Sequence, residues 1–181
     1  TYRGSAQVVY GNRNWSTTIE GVTPEFFEAR EWEIVQGHFF SHEDVKRATK
    51  VALLGQTVIE NLFPGEDPLG EKIRIKRVPF EVVGTLRSKG QSGMGRDNDD
   101  TILIPLSTAK KRVVGGRQVS GKSVGAIFVK AREAGLVMET EELLKDLLRQ
   151  RHRIRKGQDD DFFLRNLSQI LETRAESSRT M

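Results

Sequence analysis

The run Val51-Ala-Leu-Leu-Gly-Gln-Thr-Val-Ile-Glu-Asn-Leu-Phe-Pro-Gly-Glu-Asp-Pro-Leu-Gly70 constrains this chain most. Four apolar residues before Gly55 read as a short buried strand, and Gln56–Phe63 as a short helix. Pro64-Gly65 stops that helix, because proline cannot continue it and glycine accepts a left-handed turn. A second turn, Pro68-Leu-Gly70, redirects the chain into a strand over Glu71–Lys76. Strand, helix and strand within so few residues require a mixed fold whose helices are short.

The rest of the first half is also strand-rich. Gln7–Tyr10 and Trp15–Val22 are β-type runs, and Gly11-Asn12 between them suits a tight hairpin. Trp15, Thr17 and Ile19 share one face of the second run, with Ser16, Thr18 and Glu20 on the other. Further strands are expected at Lys50–Gly55, Lys72–Lys76, Phe80–Arg87, Thr101–Leu106 and Val124–Ala131, with a turn at Val78-Pro79. Thr23-Pro24-Glu25 reads as a helix start, with threonine as cap and proline in the first turn. Ser41-His-Glu-Asp44 has capping-box spacing, with Asp for the usual Glu. Ser107–Val113 suits one or two helical turns. After Ala131 the period becomes helical: Leu143, Leu144, Leu147 and Leu148 form a stripe from a Thr140 cap, and Leu164, Leu167, Ile170 and Leu171 form a second. The expected class is α+β: residues 1–50 plus 130–181 form a mixed α/β module, interrupted by a small β-rich module at 51–129.

The chemistry-bearing patterns are each outweighed by plainer readings. With no cysteine, thiolate zinc sites, disulfide scaffolds and cysteine nucleophiles are excluded. Gly116-Arg-Gln-Val-Ser-Gly121-Lys122-Ser123 matches the phosphate-loop pattern letter for letter. That pattern works only between a buried strand and a helix, and a strand signal follows it here. Asp97-Asn-Asp-Asp100 offers oxygens to Ca²⁺, but Ile102 and Thr108 stand where an EF-hand needs glycine and glutamate. His38 and His42 have helical spacing for zinc, but Ser41 between them reads as a helix cap. No Gly-x-Ser-x-Gly elbow is present. The net charge of +4 arises largely in Arg149, Arg151, Arg153, Arg155 and Lys156. Without interleaved aromatics, and with Asp159–Asp161 following, that cluster reads as a favourable helix C-terminus rather than a nucleic-acid site. No apolar run is long enough to span a membrane, and no signal peptide is visible. No catalytic residue, cofactor or metal ligand is assigned. Gly90-Gln-Ser-Gly-Met-Gly95 is an exposed glycine-rich loop, and Gln91, Met94 and Arg96 are the candidate partner-contact residues.

Several stretches together resemble the extracytoplasmic core domain of MacB-type ABC transporter permeases, the macrolide-export family. These are Gly21-Val-Thr-Pro-Glu-Phe-Phe27, Val35-Gln-Gly-His-Phe-Phe-Ser-His-Glu-Asp44, Val51–Gly70, Pro79–Gly84, Lys89–Asp100, Ile104-Pro-Leu-Ser-Thr-Ala109 and Phe162–Thr180. His38 stands where the family more often has arginine. The resemblance implies a porter-like module from both ends of the chain, with the 51–129 module inserted. It further implies a periplasmic, non-enzymatic part of an inner-membrane efflux permease. Such a part passes ATP-driven motion outward, docks a periplasmic adaptor protein and works as a homodimer in the full transporter. The family's domain begins with a further strand and helix before the Tyr2–Val22 hairpin, so the porter-like module is expected to lack its N-terminal part. The chain is expected to be a fragment ending before a transmembrane helix. The other readings are a lipoprotein-releasing permease domain, a small nucleotide-binding enzyme through Gly116–Ser123, and a free-standing basic nucleic-acid binder.

Overall fold

Short β-rich runs separated by tight turns leave most strand edges to be paired by distant segments, and the chain solves this by closing a ring. The structure is a computed structural model that describes residues 1–92, 95, 97–113 and 124–166. Contacts divide it into two compact units, Thr1–Val129 and Lys130–Met181.

In the first unit, β1 (Tyr2–Tyr10) and β2 (Arg13–Val22) form an antiparallel hairpin in which Tyr10 faces Arg13. Gly11, at φ +56°, takes the positive angle that a two-residue connection demands. Helix α1 (Glu25–Ala29) and strand β3 (Ile34–Gly37) follow. Helix α2 (His42–Arg47) leads to β4 (Val51–Leu54), and α3 (Gln56–Leu62) to the hairpin β5 (Lys72–Ile75) and β6 (Val78–Leu86). Strand β7 (Thr101–Pro105) runs into α4 (Leu106–Thr108), which continues as a π-helical turn, Ala109–Val113.

The strand order is β3-β6-β4-β7-β2-β1-β5, and β5 also pairs with β6. Strands β6, β4, β7, β2, β1 and β5 therefore form a closed ring, with β3 added alongside the second half of β6. Closure removes the free edges that an open sheet would expose. Alternate residues of the ring strands point inward to one cluster that includes Val8, Ile19, Leu54, Ile73, Ile75, Phe80, Ile102 and Ile104. Helix α3 contributes Val58 and Leu62 to it, with Phe63 just beyond the helix. The other faces of β4 and β7 carry Leu53 and Leu103 into a second cluster, closed by Phe26, Phe27, Trp32 and Phe40. With both faces covered, all five residues of β7 are buried.

The second unit contains α5 (Val137–His152), entered through a 3₁₀ turn at Ala134–Leu136. Its last turn is closed locally. Arg153 adopts a left-handed conformation, Arg149 pairs with Asp160 and donates to the carbonyls of Arg155 and Gln158, and His152 Nδ1 lies 2.6 Å from Asp161. The arginine-rich stretch thus caps its own helix.

The mixed α and β class is as expected. The ring draws strands from both 1–50 and 51–129, through the β2–β7 and β1–β5 ladders, and contacts divide the chain at 129/130. Other details differ. The turn between β5 and β6 sits at Lys76-Arg77, and Val78-Pro79 already belongs to β6. Val124–Ala131 is not a strand; the amides of Gly125 and Ala126 donate to the Thr1 carbonyl, and no ladder forms there among the described residues. Helix α5 starts three residues before Thr140, without a side-chain cap, and Phe162–Asn166 is not helical. Thr23 caps no amide with its side chain; its hydroxyl bonds the Glu25 carboxylate, which, with the Glu25 backbone amide, lowers that group's pKa. Leu167, Ile170 and Leu171 lie outside the described residues.

Candidate functional site

A loop that presents side chains to a partner needs a fixed base, and polar groups can fix it where apolar packing cannot reach. The segment between β6 and β7, Ser88–Asp100, has such a base. Asp99 is 5 % exposed. Its Oδ1 accepts the Lys89 amide at 2.7 Å, and its Oδ2 accepts the Gly90 amide at 2.9 Å and the Ser88 hydroxyl at 2.5 Å. One carboxylate thus satisfies three donors of the outgoing leg. The Asn98 amide and side chain both donate to the Gly90 carbonyl, and a bridge between Gln91 and Asp97 closes the stem.

The neighbouring acids tie this stem to the ring. Asp97 Oδ2 accepts the Thr57 hydroxyl of α3 at 2.7 Å, and its Oδ1 accepts the Asp99 amide. Asp100 accepts the Trp15 indole N–H of β2 at 2.8 Å. Gly55, at the end of β4, lets the Asp99 carbonyl approach so closely that a Cβ there would lie 2.2 Å from that oxygen. On the opposite leg, Lys89 Nζ donates to the Arg30 carbonyl and sits 4.6 Å from the Trp32 ring centroid. Burial, and then the charge of Arg30, push the Lys89 pKa below its ordinary value.

The acidic run read from sequence as a possible Ca²⁺ set therefore spends its oxygens on amides, hydroxyls and an indole. No group of His, Cys, Asp and Glu suited to a metal occurs among the described residues. His42 opens α2 and approaches Glu25 at 3.2 Å, while His38 lies before the Ser41 cap. Of the three loop residues expected to meet a partner, Gln91 is exposed at the top of the stem. Met94 and Arg96 lie outside the described residues, as does the whole of Gly116–Ser123. The stretch after that phosphate-loop match, Val124–Ala131, contains no helix. The base of the loop went unread in the sequence. The available signal was a run of aspartates directly before the buried strand start Thr101, on a chain returning past Ser88-Lys89-Gly90, whose hydroxyl and amides can meet a carboxylate.

A family model of the MacB-like periplasmic core domain matches residues 1–147. The macrolide export ATP-binding/permease protein MacB of Chlorobium luteolum is 38% identical over 181 residues, spanning 100% of this chain and 26% of that protein. Its counterpart in Rhodospirillum rubrum is 40% identical over 160 residues, 88% of this chain and 23% of that protein. The chain thus spans about a quarter of the length of the curated relatives it matches. Among solved structures, the periplasmic region of MacB from Actinobacillus actinomycetemcomitans superposes with a TM-score of 0.69 at 21% identity, covering 96% of this chain and 73% of that one. The extracellular domain of the noncanonic ABC-type transporter YknZ from Gram-positive bacteria gives 0.64 at 17% identity, covering 86% and 75%. These two likenesses concern the fold.

Proposed function

This chain belongs to the family of MacB-like periplasmic core domains, and from that premise we propose that it is the extracytoplasmic part of an ABC-type efflux permease, docking an adaptor protein and passing ATP-driven motion to it. The observation that supports this reading is the loop Ser88–Asp100, whose stem is held to the ring through Asp97, Asp99 and Asp100. A loop of this kind gives a partner a fixed surface at little ordering cost, which is what preorganisation contributes to binding. Its glycine-rich sequence carries Gln91, Met94 and Arg96, and a methionine is a side chain suited to adaptable apolar contact. The parent protein would be an inner-membrane homodimer with its ATPase outside this segment. The domain itself would carry no catalytic residue, cofactor or metal.

The test is capture of the adaptor that works with the parent transporter, using that transporter in detergent, with and without Met94→Asp. Burying the new carboxylate against the partner should weaken capture by at least about tenfold. Unchanged capture would remove the loop from the docking surface. A parent reading frame without apolar spans of about 20 residues beside this segment would remove the permease reading itself.

A further inference from the structure

The hairpin joining β5 to β6 turns on Lys76 and Arg77, at φ +46° and +71°. Two consecutive positive φ angles belong to the turn type that strongly prefers Asn-Gly or Asp-Gly. For residues with a Cβ the left-handed conformation costs roughly 1–2 kcal/mol each. Nothing inside the ring demands these two side chains, since both are exposed. The strained turn holds two adjacent cations outward at the end of a strand.

That strand continues the pattern. Lys72 and Arg74 lie on the exposed face of β5, and Ile73 and Ile75 on the buried one. Alternate residues on a strand are spaced by about 7 Å, so Lys72 and Arg74 begin a cationic row that Lys76 and Arg77 extend into the turn beyond Ile75. The row is held from both sides, because β5 is laddered to β1 and to β6. Elsewhere Arg13, Arg47, Arg87 and Arg149 each reach a carboxylate. Among the described residues Lys72, Arg74, Lys76 and Arg77 form no ion pair. Glu81 lies across the ladder from Lys72, whereas Arg74 faces Pro79 and Val9. The excess charge is therefore concentrated toward the tip.

We infer that the outer face of β5 and its Lys76–Arg77 tip form a second docking surface, which takes an extended acidic segment of a partner protein with carboxylates on alternate residues. The two-residue repeat of the row matches the repeat of such a segment, and its charge is complementary. A bilayer is the poorer match, because the tip consists of cations and the aliphatic residues of β5 face inward, so no apolar anchor enters the lipid. This surface is independent of the Ser88–Asp100 loop.

The experiment measures binding of the intact chain to a fluorescent peptide alternating glutamate with threonine, and to vesicles rich in phosphatidylglycerol. The wild type should bind the peptide with an affinity that falls as salt rises. The double variant Lys76→Asn/Arg77→Gly should weaken peptide binding roughly tenfold while raising the thermal midpoint, since it relieves the turn. Arg74→Gln should weaken binding roughly threefold without moving the midpoint. Peptide binding insensitive to all three substitutions overturns the inference, and so does binding to vesicles alone. A lower midpoint in the double variant overturns the strain argument on which it rests.

Discussion

Replacing Asp99 by asparagine tests how the loop is held. The side chain keeps its shape, but one acceptor oxygen becomes an NH₂ donor. In the wild type the two oxygens take the Lys89 amide, the Gly90 amide and the Ser88 hydroxyl. If the asparagine oxygen keeps Gly90 and Ser88, its NH₂ faces the Lys89 N–H and that donor is orphaned. A hydrogen bond to a charged group is worth about 1.5–3 kcal/mol, and an unsatisfied buried donor costs a comparable amount. Removing a charge from a 5 % exposed position offsets part of this loss. The expected net destabilisation is about 2 kcal/mol, or a thermal midpoint lower by roughly 5–10 °C for a domain of this size. Because the bonds are local, opening of the stem should increase more than global unfolding does, and hydrogen exchange at the Lys89 and Gly90 amides should accelerate by roughly thirtyfold. Ser88→Ala, which removes one of the three donors, should show a smaller effect in the same direction. Unchanged exchange at both amides in the asparagine variant would mean that the carboxylate does not organise the loop.

The remaining expectations concern the ring and α2. Gly55→Ala should cost about 3 kcal/mol in denaturant unfolding, because its Cβ would sit 2.2 Å from a backbone oxygen that cannot rotate away; a loss below about 0.5 kcal/mol would show that β7 shifts freely. Ser41→Ala removes the hydroxyl arm of the capping box, which accepts the Asp44 amide, and should cost about 1 kcal/mol. The Asp44 carboxyl is held below its ordinary value of 3.8, first by the Ser41 backbone amide and also by the hydroxyls of Ser41 and Thr49. A depressed folded-state pKa gives stability that is complete above 3.8 and lost as pH falls through the lower folded value. Asp44→Asn should therefore flatten that part of the acid limb in stability measured against pH, and an unaltered limb would contradict the assignment.

Local signals in the sequence carried through where the controlling physics was local. The Gly11-Asn12 hairpin, the Ser41–Asp44 capping box and the Pro64-Gly65 stop each depend on a few adjacent residues, and each stands in the structure. Strand β3 escaped notice because its four residues show no alternation: Val35, Gln36 and Gly37 are all exposed, and pairing with β6 alone makes them a strand. The Lys76-Arg77 turn escaped because it lacks the glycine or asparagine that its angles favour, while Pro79 drew attention to the wrong position. Pro79 is tolerated because it sits in the pair next to the hairpin-closing Ile75–Val78 pair, where its nitrogen faces away from β5, and β4 joins β6 only from Glu81, so no ladder bond needs its missing N–H. Val124–Ala131 shows the reverse error, a β-type sequence without a ladder, since a strand is a property of a pair rather than of a segment. Ring closure was illegible for the same reason: β5 meets β1, and β7 meets β2, across separations that no periodicity encodes. The candidate contact residues were assigned to this loop from composition, whereas its aspartates were weighed only as a Ca²⁺ set when they are structural.

The closed ring and the anchored loop have a joint consequence for the proposed lever role. A part that passes displacement onward must deform less than the contacts at its ends. Each of the six ring strands is laddered on both sides, so a load applied to one is shared by two neighbours. The loop stem meets that ring at separate places, at β2 through Asp100 and Trp15 and at α3 through Asp97 and Thr57, while Gly55 brings the end of β4 against its returning leg at Asp99. In the proposed role, a load on the stem would fall on three elements that also line the inner cluster. Helix α5 is built differently. It buries no residue, and Leu143 and Leu147 are 63% and 46% exposed, so its cohesion rests on its own hydrogen bonds and its C-terminal ion pairs. An isolated helix of this length is marginal in water. Among the described residues, ladders and anchoring bonds are thus concentrated in the ring and the loop stem, whereas the order of α5 depends on what covers its apolar face.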